Sequence, residues 1–125
     1  MQEPDPPIVD ERVLAEVMAA TGDDIGFVRE LLETYLADTP AQLDAMTAAL
    51  EADDAAALVR PAHTLKSSSS SIGAMRLSSR ARELELAGRS GALGPADRAS
   101  LEAARTEWLA AADALNAWLE RASGT

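Results

Sequence analysis

The chain contains no cysteine, one histidine and one lysine, and its aromatic residues are one Phe, one Tyr and two Trp. Without cysteine, disulfide frameworks, thiolate zinc sites and cysteine nucleophiles are excluded. No apolar run approaches the roughly 20 residues that a spanning helix needs. The opening Met1-Gln2-Glu3-Pro4-Asp5-Pro6-Pro7 has neither a basic n-region nor an apolar h-region, so it does not read as a secretory signal. A cytoplasmic protein with no membrane partner is expected. Basic residues are also scarce: 11 Lys and Arg face 21 Asp and Glu, a net charge of −10. Phosphate-backbone binding normally shows a basic excess, so nucleic acid is not an expected partner.

What the chain has in abundance is alanine, 27 of 125 residues, and no window alternates Val, Ile and Thr as a half-buried strand would. The length suits one domain with a real core. The expected class is all-α, with residues 1–7 as a flexible, proline-rich leader, 8–122 as the folded domain and 123–125 as a tail.

Helical spacing locates the elements. Asp10 is placed to cap a short helix that carries Val13, Leu14, Val17 and Met18 and stops at Thr21-Gly22. Asp23 or Asp24 caps a longer helix with the stripe Val28, Leu32, Tyr35, Leu36, Thr39, Leu43, Met46 and Leu50. Pro40 interrupts this stripe without shifting its phase, which predicts a kink rather than a break, with Thr39 as a local cap. Asp53-Asp54 start a third helix, on which Leu58, Ala62, Leu65, Ser69 and Ile72 share a face, and Gly73 closes it. A fourth, from Ala74 to about Ser90, aligns Leu77, Ala81 and Leu84. Pro95 opens a fifth, which carries Leu101, Ala104, Trp108, Ala111, Leu115, Leu119 and Ala122. Four long amphipathic helices joined by short turns predict an antiparallel up-down-up-down four-helix bundle with the short N-terminal helix across one end. The serine run Ser67–Ser71 suits a linker by composition, but Leu65 and Ile72 flank it at heptad spacing and assign it to the third helix.

His63 and Lys66, the single members of their kind, stand three residues apart. On a helix that spacing makes them neighbours on one face. Counting about 100° per residue from Leu58, His63 falls at about 140°, Lys66 at about 80°, Ser70 at about 120° and Ser67 at about 180°. The histidine therefore points away from the core, which leaves an idle surface histidine or a working one. Metal ligation is not expected, because there is no second His or Cys, and Asp53, Asp54 and Glu83 do not share the face of His63. Val59, Ser67 and Ser70 are small and surround it, so a second protein can approach the imidazole closely. An exposed imidazole is in good part neutral and nucleophilic at pH 7. Phosphoryl transfer needs mainly in-line positioning and charge stabilisation, for which a nucleophile and one cation on a rigid helix form half a site. A metal and an acidic pocket would then come from a partner.

The string Ala62-His63-Thr64-Leu65-Lys66-Ser67-Ser68-Ser69-Ser70-Ser71-Ile72-Gly73-Ala74 resembles the signature of histidine-containing phosphotransfer (HPt) domains: His-x-Leu-Lys, a small-residue run, and Gly-Ala ten residues after the His. The resemblance extends to Thr21-Gly22-Asp23, to Phe27-Val28-Arg29-Glu30-Leu31-Leu32 leading to Tyr35-Leu36, and to Leu84-Glu85. It implies a phosphorelay intermediate with no kinase or hydrolase activity of its own. His63 would accept a phosphoryl group from a response-regulator receiver aspartate and pass it to another receiver, and Lys66 would offset charge on the phosphoryl oxygens. Ser67 would mark the close-approach position, with Val59 and Ser70 beside it on the docking face. Implied partners are receiver domains or a hybrid histidine kinase. No cofactor belongs to this chain, Mg²⁺ being expected in the receiver, and a monomer is expected. The chain departs from the pattern at Ser67, where Gly is common, and at Pro61, which is expected to bend the helix beside its active face.

Charge is unevenly distributed. Residues 1–54 carry a net −12, residues 91–125 a net −2, and residues 55–90, which include His63, a net +4 from Arg60, Lys66, Arg76, Arg80, Arg82 and Arg89 against Glu83 and Glu85. A positive patch on an acidic protein would steer an acidic receiver pocket to His63. The competing reading is a helical adaptor that binds a receiver or kinase without being phosphorylated. The phosphorylatable domain of a larger kinase would need an ATP-binding region, for which the 125 residues show no candidate.

Overall fold

A computed structural model describes residues 5–124. Five helices follow one another, with no strand among the described residues: α1 (Glu11–Ala20), α2 (Ile25–Glu51), α3 (Ala55–Ser71), α4 (Met75–Ser90) and α5 (Pro95–Ala122). The first four residues of the expected leader, and Thr125 of the expected tail, lie outside the described residues. The last part of the leader rests on α4, where the Pro6 carbonyl accepts a hydrogen bond from Arg76 Nε at 2.6 Å.

Acidic residues start the first three helices. Asp10, Asp24 and Asp54 each accept a hydrogen bond from a backbone amide of the first turn that has no partner within the helix. α5 begins instead with Pro95 and a reciprocal bond from Gly94 N to Asp97 at 2.8 Å. Each long helix packs on two others in a closed ring, α2 on α3, α3 on α4, α4 on α5 and α5 on α2, and the α3–α4 contact is the most extensive. Leu14, Val28, Leu32, Leu43, Met46, Leu58, Leu65, Leu77, Leu84 and Leu115 fill the centre and are fully buried or nearly so. Removing any one of these Leu side chains to Ala is of the class that costs about 2–5 kcal/mol.

α1 closes the end of the bundle at the α3–α4 turn. Asp10 N donates to the Gly73 carbonyl at 2.7 Å. Gly73 has φ +88°, and a Cβ there would lie 2.7 Å from the Asp10 carbonyl oxygen, so both the backbone conformation and the approach of α1 require glycine. Ala74 behind it is fully buried. Gly73 of the Gly-Ala pair is thus a docking point for the start of α1, and Ala74 belongs to the core.

Both prolines are accommodated within continuous helices, α2 through Pro40 and α3 through Pro61. Thr39 does not act as a local cap. It is buried, and its hydroxyl donates back to the Tyr35 carbonyl at 2.7 Å, one turn earlier. Pro61 faces the core, and the carbonyl it deprives of a donor belongs to exposed Ala57, where water can serve. The serine run is helical for a similar reason of partners. Ser69 meets the Tyr35 hydroxyl at 2.7 Å in the core, while Ser68 and Ser71 donate to the carbonyls of Leu65 and Ser67. Tyr35 also stands edge-on to Trp108, with ring centroids 5.8 Å apart.

Candidate functional site

The site lies on the α3–α4 seam. A Cβ on Gly88 would come within 2.9 Å of both the Ala55 carbonyl and Val59 Cγ2, so glycine permits close contact between the two helices at this level. One turn earlier on α4, Glu85 is only 4% exposed and points at α3. Its two carboxylate oxygens are fully engaged. Oε1 lies 2.7 Å from Lys66 Nζ, and Oε2 lies 2.9 Å from His63 Nδ1 and 2.8 Å from an Arg89 nitrogen.

This cluster determines the state of the imidazole. Hydrogen bonds from Lys66 and Arg89, with a smaller one from His63, outweigh the cost of burial and hold the Glu85 carboxyl down at about 2. At neutral pH it is an anion and can only accept. The hydrogen between the two groups therefore belongs to His63 Nδ1, and in the neutral ring this leaves the lone pair on Nε2. The His63 side chain is 55% exposed. The ring is thus held at one nitrogen and offers the other as a nucleophile.

His63, Lys66, Ser67 and Ser70 come together on one outward strip of α3, as the helical phase requires; His63, Ser67 and Ser70 are exposed and Lys66 is partly so. Val59 is half-buried, because part of its side chain packs at the Gly88 contact. Lys66 does not stand free beside the imidazole: its ammonium is bonded to Glu85. The carboxylate partner of His63 is not among the acids weighed from spacing alone. It comes from the neighbouring helix, and its signal in the sequence is a glutamate directly after core-facing Leu84, three residues before a glycine.

The cationic segment is also resolved into parts. Arg76 is taken by the Pro6 carbonyl, Arg80 by Glu83, and Arg89 and Lys66 by Glu85. Arg60 and Arg82 make no such bond among the described residues. Arg82 borders a groove of about 500 Å³ with Lys66, Ser67, Ser70 and Ser78, and Met75 and Pro6 add apolar lining. On the other flank of α3, an apolar groove of about 240 Å³ runs between Thr64, Ser68 and Ile72 and the α2 residues Leu31 and Tyr35. Phe27, one turn before Leu31, is 52% exposed. The core stripe of α2 leaves out both Phe27 and Leu31, and only the structure shows that Leu31 borders a groove against α3. Among the described residues no group of His, Cys, Asp and Glu is placed to hold a metal ion, and no helix is long and apolar enough to cross a membrane.

Comparison with known proteins agrees with this geometry. The sequence model of the Hpt domain matches residues 30–123. The crystal structure of histidine-containing phosphotransfer protein B (HptB) from Pseudomonas aeruginosa PAO1 superimposes with a TM-score of 0.82 at 33% identity, over 92% of this chain and 96% of that one. A search of curated protein sequences gives no significant match. With the family match covering most of the chain and a solved Hpt protein sharing the whole bundle, the chain belongs to the Hpt domain family, the histidine-containing phosphotransfer domains of two-component signalling.

Proposed function

We propose that this chain is a phosphorelay intermediate in which His63 Nε2 accepts a phosphoryl group from a receiver aspartate and hands it to the aspartate of another receiver. The observation that carries the reading is the outward Nε2, left with a free lone pair because Glu85 holds the proton on Nδ1 at 2.9 Å. In-line attack needs a nucleophile presented on a rigid support with room for the donor, and a continuous helix with Ser67 and Ser70 beside the imidazole supplies both. Mg²⁺ and the acidic pocket belong to the receiver, and the chain itself works as a carrier without kinase or hydrolase activity.

Lys66 would offset charge on the phosphoryl oxygens while bonded to Glu85; with Arg89 beside it the cluster of one anion and two cations keeps a net positive charge. Val59, Ser67 and Ser70 would line the docking face. Arg60 and Arg82, without an ion pair or hydrogen bond among the described residues, are the cations that a receiver or a hybrid kinase with an acidic rim would meet. The setting proposed is a cytoplasmic monomer that meets its partners in turn and binds neither nucleic acid nor membrane.

The test is to mix the protein with purified, phosphorylated receiver domains and follow the label on each chain. Label passing to the protein and on to a second receiver is expected. Binding to receivers with no label on the protein would overturn the carrier reading and leave an adaptor.

A further inference from the structure

Glu85 is placed to do more than orient the ring before reaction, and its second role concerns the phosphoryl group leaving. When Nε2 attacks, the new P–N bond forms as the bond from phosphorus to the aspartyl oxygen breaks, and that electron pair leaves with the carboxylate. The ring then carries phosphate on Nε2 and a proton on Nδ1, so it is formally an imidazolium. It faces the buried carboxylate 2.9 Å away. For onward transfer an oxygen nucleophile attacks phosphorus and the P–N electron pair returns to Nε2. With Nδ1 protonated, the departing group is neutral imidazole. With Nδ1 deprotonated, it would be an imidazolide anion, a far poorer leaving group. No proton moves in either direction as long as Nδ1 keeps its own.

We infer that Glu85 is a positioning residue for the outgoing step: by holding the Nδ1 proton of phosphorylated His63, it keeps the P–N bond labile and extends transfer to higher pH than an unassisted phosphohistidine would allow. The inference rests on the proposed carriage of phosphate by His63. The charges facing the ring favour this reading. At the ring stand Glu85 and the two cations on its carboxylate, Lys66 from α3 and Arg89 from α4; the other charges of these elements lie further out, Arg60 exposed on α3, Arg82 on the groove beside Lys66, and Asp38 of α2 on the apolar groove at the other flank of α3. Glu85 is the one anion in hydrogen-bond contact with the imidazole, and the nearest charges after it, Lys66 and Arg89, are cations that on their own would drive the Nδ1 proton off. The proton stays because the carboxylate is there.

The test needs no receiver. The parent and Glu85→Gln proteins are phosphorylated with phosphoramidate, freed of reagent, and the loss of phosphohistidine is followed by phosphorus NMR across the acid to alkaline range. In acid, where either ring is protonated, the two should lose phosphate alike. With rising pH the rate for Glu85→Gln should fall off about one pH unit or more before that of the parent, the size of effect expected for removing an opposite charge in contact. Coincident profiles would overturn the inference. Nitrogen NMR of the unmodified parent imidazole is the second readout, independent of whether the variant folds: the proton must be found on Nδ1, and a proton on Nε2 overturns the inference as well. Failure to exchange phosphate with any receiver would sink the phosphorelay reading instead, and would leave both of these readouts standing.

Discussion

The Nδ1 of His63 and the carboxylate of Glu85, 22 residues apart in the chain, meet at 2.9 Å across the α3–α4 seam. The contact joins an exposed imidazole to a buried anion, and two cations on the same carboxylate keep that anion ionised. Packing at Gly88 and chemistry at His63 are thereby parts of one arrangement, since a wider helix spacing would lift Glu85 away from the ring.

Phosphate is expected on His63 alone. A phosphoramidate at this position is acid-labile and alkali-stable, so labelled protein should keep its label in base and lose it in acid. His63→Gln should take up none from a phosphorylated receiver, and uptake by that variant would show that another residue is the acceptor.

Lys66→Ala should slow transfer by about one to three orders of magnitude, the range for losing one electrostatic contact in the transition state. The bond to Glu85 adds a consequence that helical phase alone did not suggest, namely a loss of about 1–2 kcal/mol in folding stability when a buried carboxylate loses one charged partner. Urea unfolding and transfer kinetics on the same preparation measure both. Unchanged rates would reduce Lys66 to a counter-ion for Glu85.

Glu85 makes stability depend on acid. Its folded-state value of about 2 lies below the ordinary 4.5, so its contribution is fully present above about 4.5 and is lost as pH falls through the range down to about 2. The stability difference between the parent and Glu85→Gln should therefore be largest near neutrality and shrink on acidification. Urea midpoints measured at neutral pH and again in acid decide it; a difference that stays constant with pH would mean that the carboxylate's charge is not what stabilises the fold.

Helix positions were legible in the sequence because caps and stripes are local: Asp10, Asp24, Asp54 and Pro95 mark helix starts through backbone chemistry that needs no knowledge of the rest of the chain. His63 was legible for the same reason, its phase against Leu58 and Leu65 placing it outside. Glu85 was not, because its partnership depends on the register of α4 against α3, which the Gly88 approach sets and no periodicity within one helix reports. The fate of the arginines was hidden likewise: Arg80 and Arg82 look alike in sequence, yet one is paired with Glu83 and the other borders the groove beside Lys66. Thr39 misled because a threonine before a proline has the pattern of a helix start, whereas here its hydroxyl bonds one turn backwards inside a continuous helix.

The Tyr35–Ser69 pair tests why a serine run can sit in a helix that faces a core. Ser69 is fully buried and bonded to the Tyr35 hydroxyl at 2.7 Å, and burial pushes that phenol up to about 12. Tyr35→Phe leaves the serine hydroxyl without its side-chain partner and should cost about 1–3 kcal/mol, whereas Tyr35→Phe combined with Ser69→Ala should cost less than Tyr35→Phe alone. A double-mutant cycle with no coupling would mean that the bond contributes nothing to the core.

Steric access one turn beyond His63 should govern transfer. A receiver has to bring its aspartyl phosphate within in-line reach of Nε2, and bulk at the level of the next turn holds the two proteins apart. Ser67 and Ser70 are both exposed on the His63 strip and border the groove shared with Lys66 and Arg82, so a larger side chain at either projects into the space a partner would occupy, away from the core. Ser67→Trp and Ser70→Trp should therefore keep the helical signal by circular dichroism and block phosphotransfer, while Ser67→Gly, which widens the approach, should transfer at least as fast as the parent. The Glu85 bond to Nδ1 should survive in all three variants, so nitrogen NMR of the imidazole separates a blocked approach from a displaced histidine. Tryptophan variants that transfer as fast as the parent would place the docking surface elsewhere on the bundle, with the apolar groove between Leu31 and Thr64 the next face to examine.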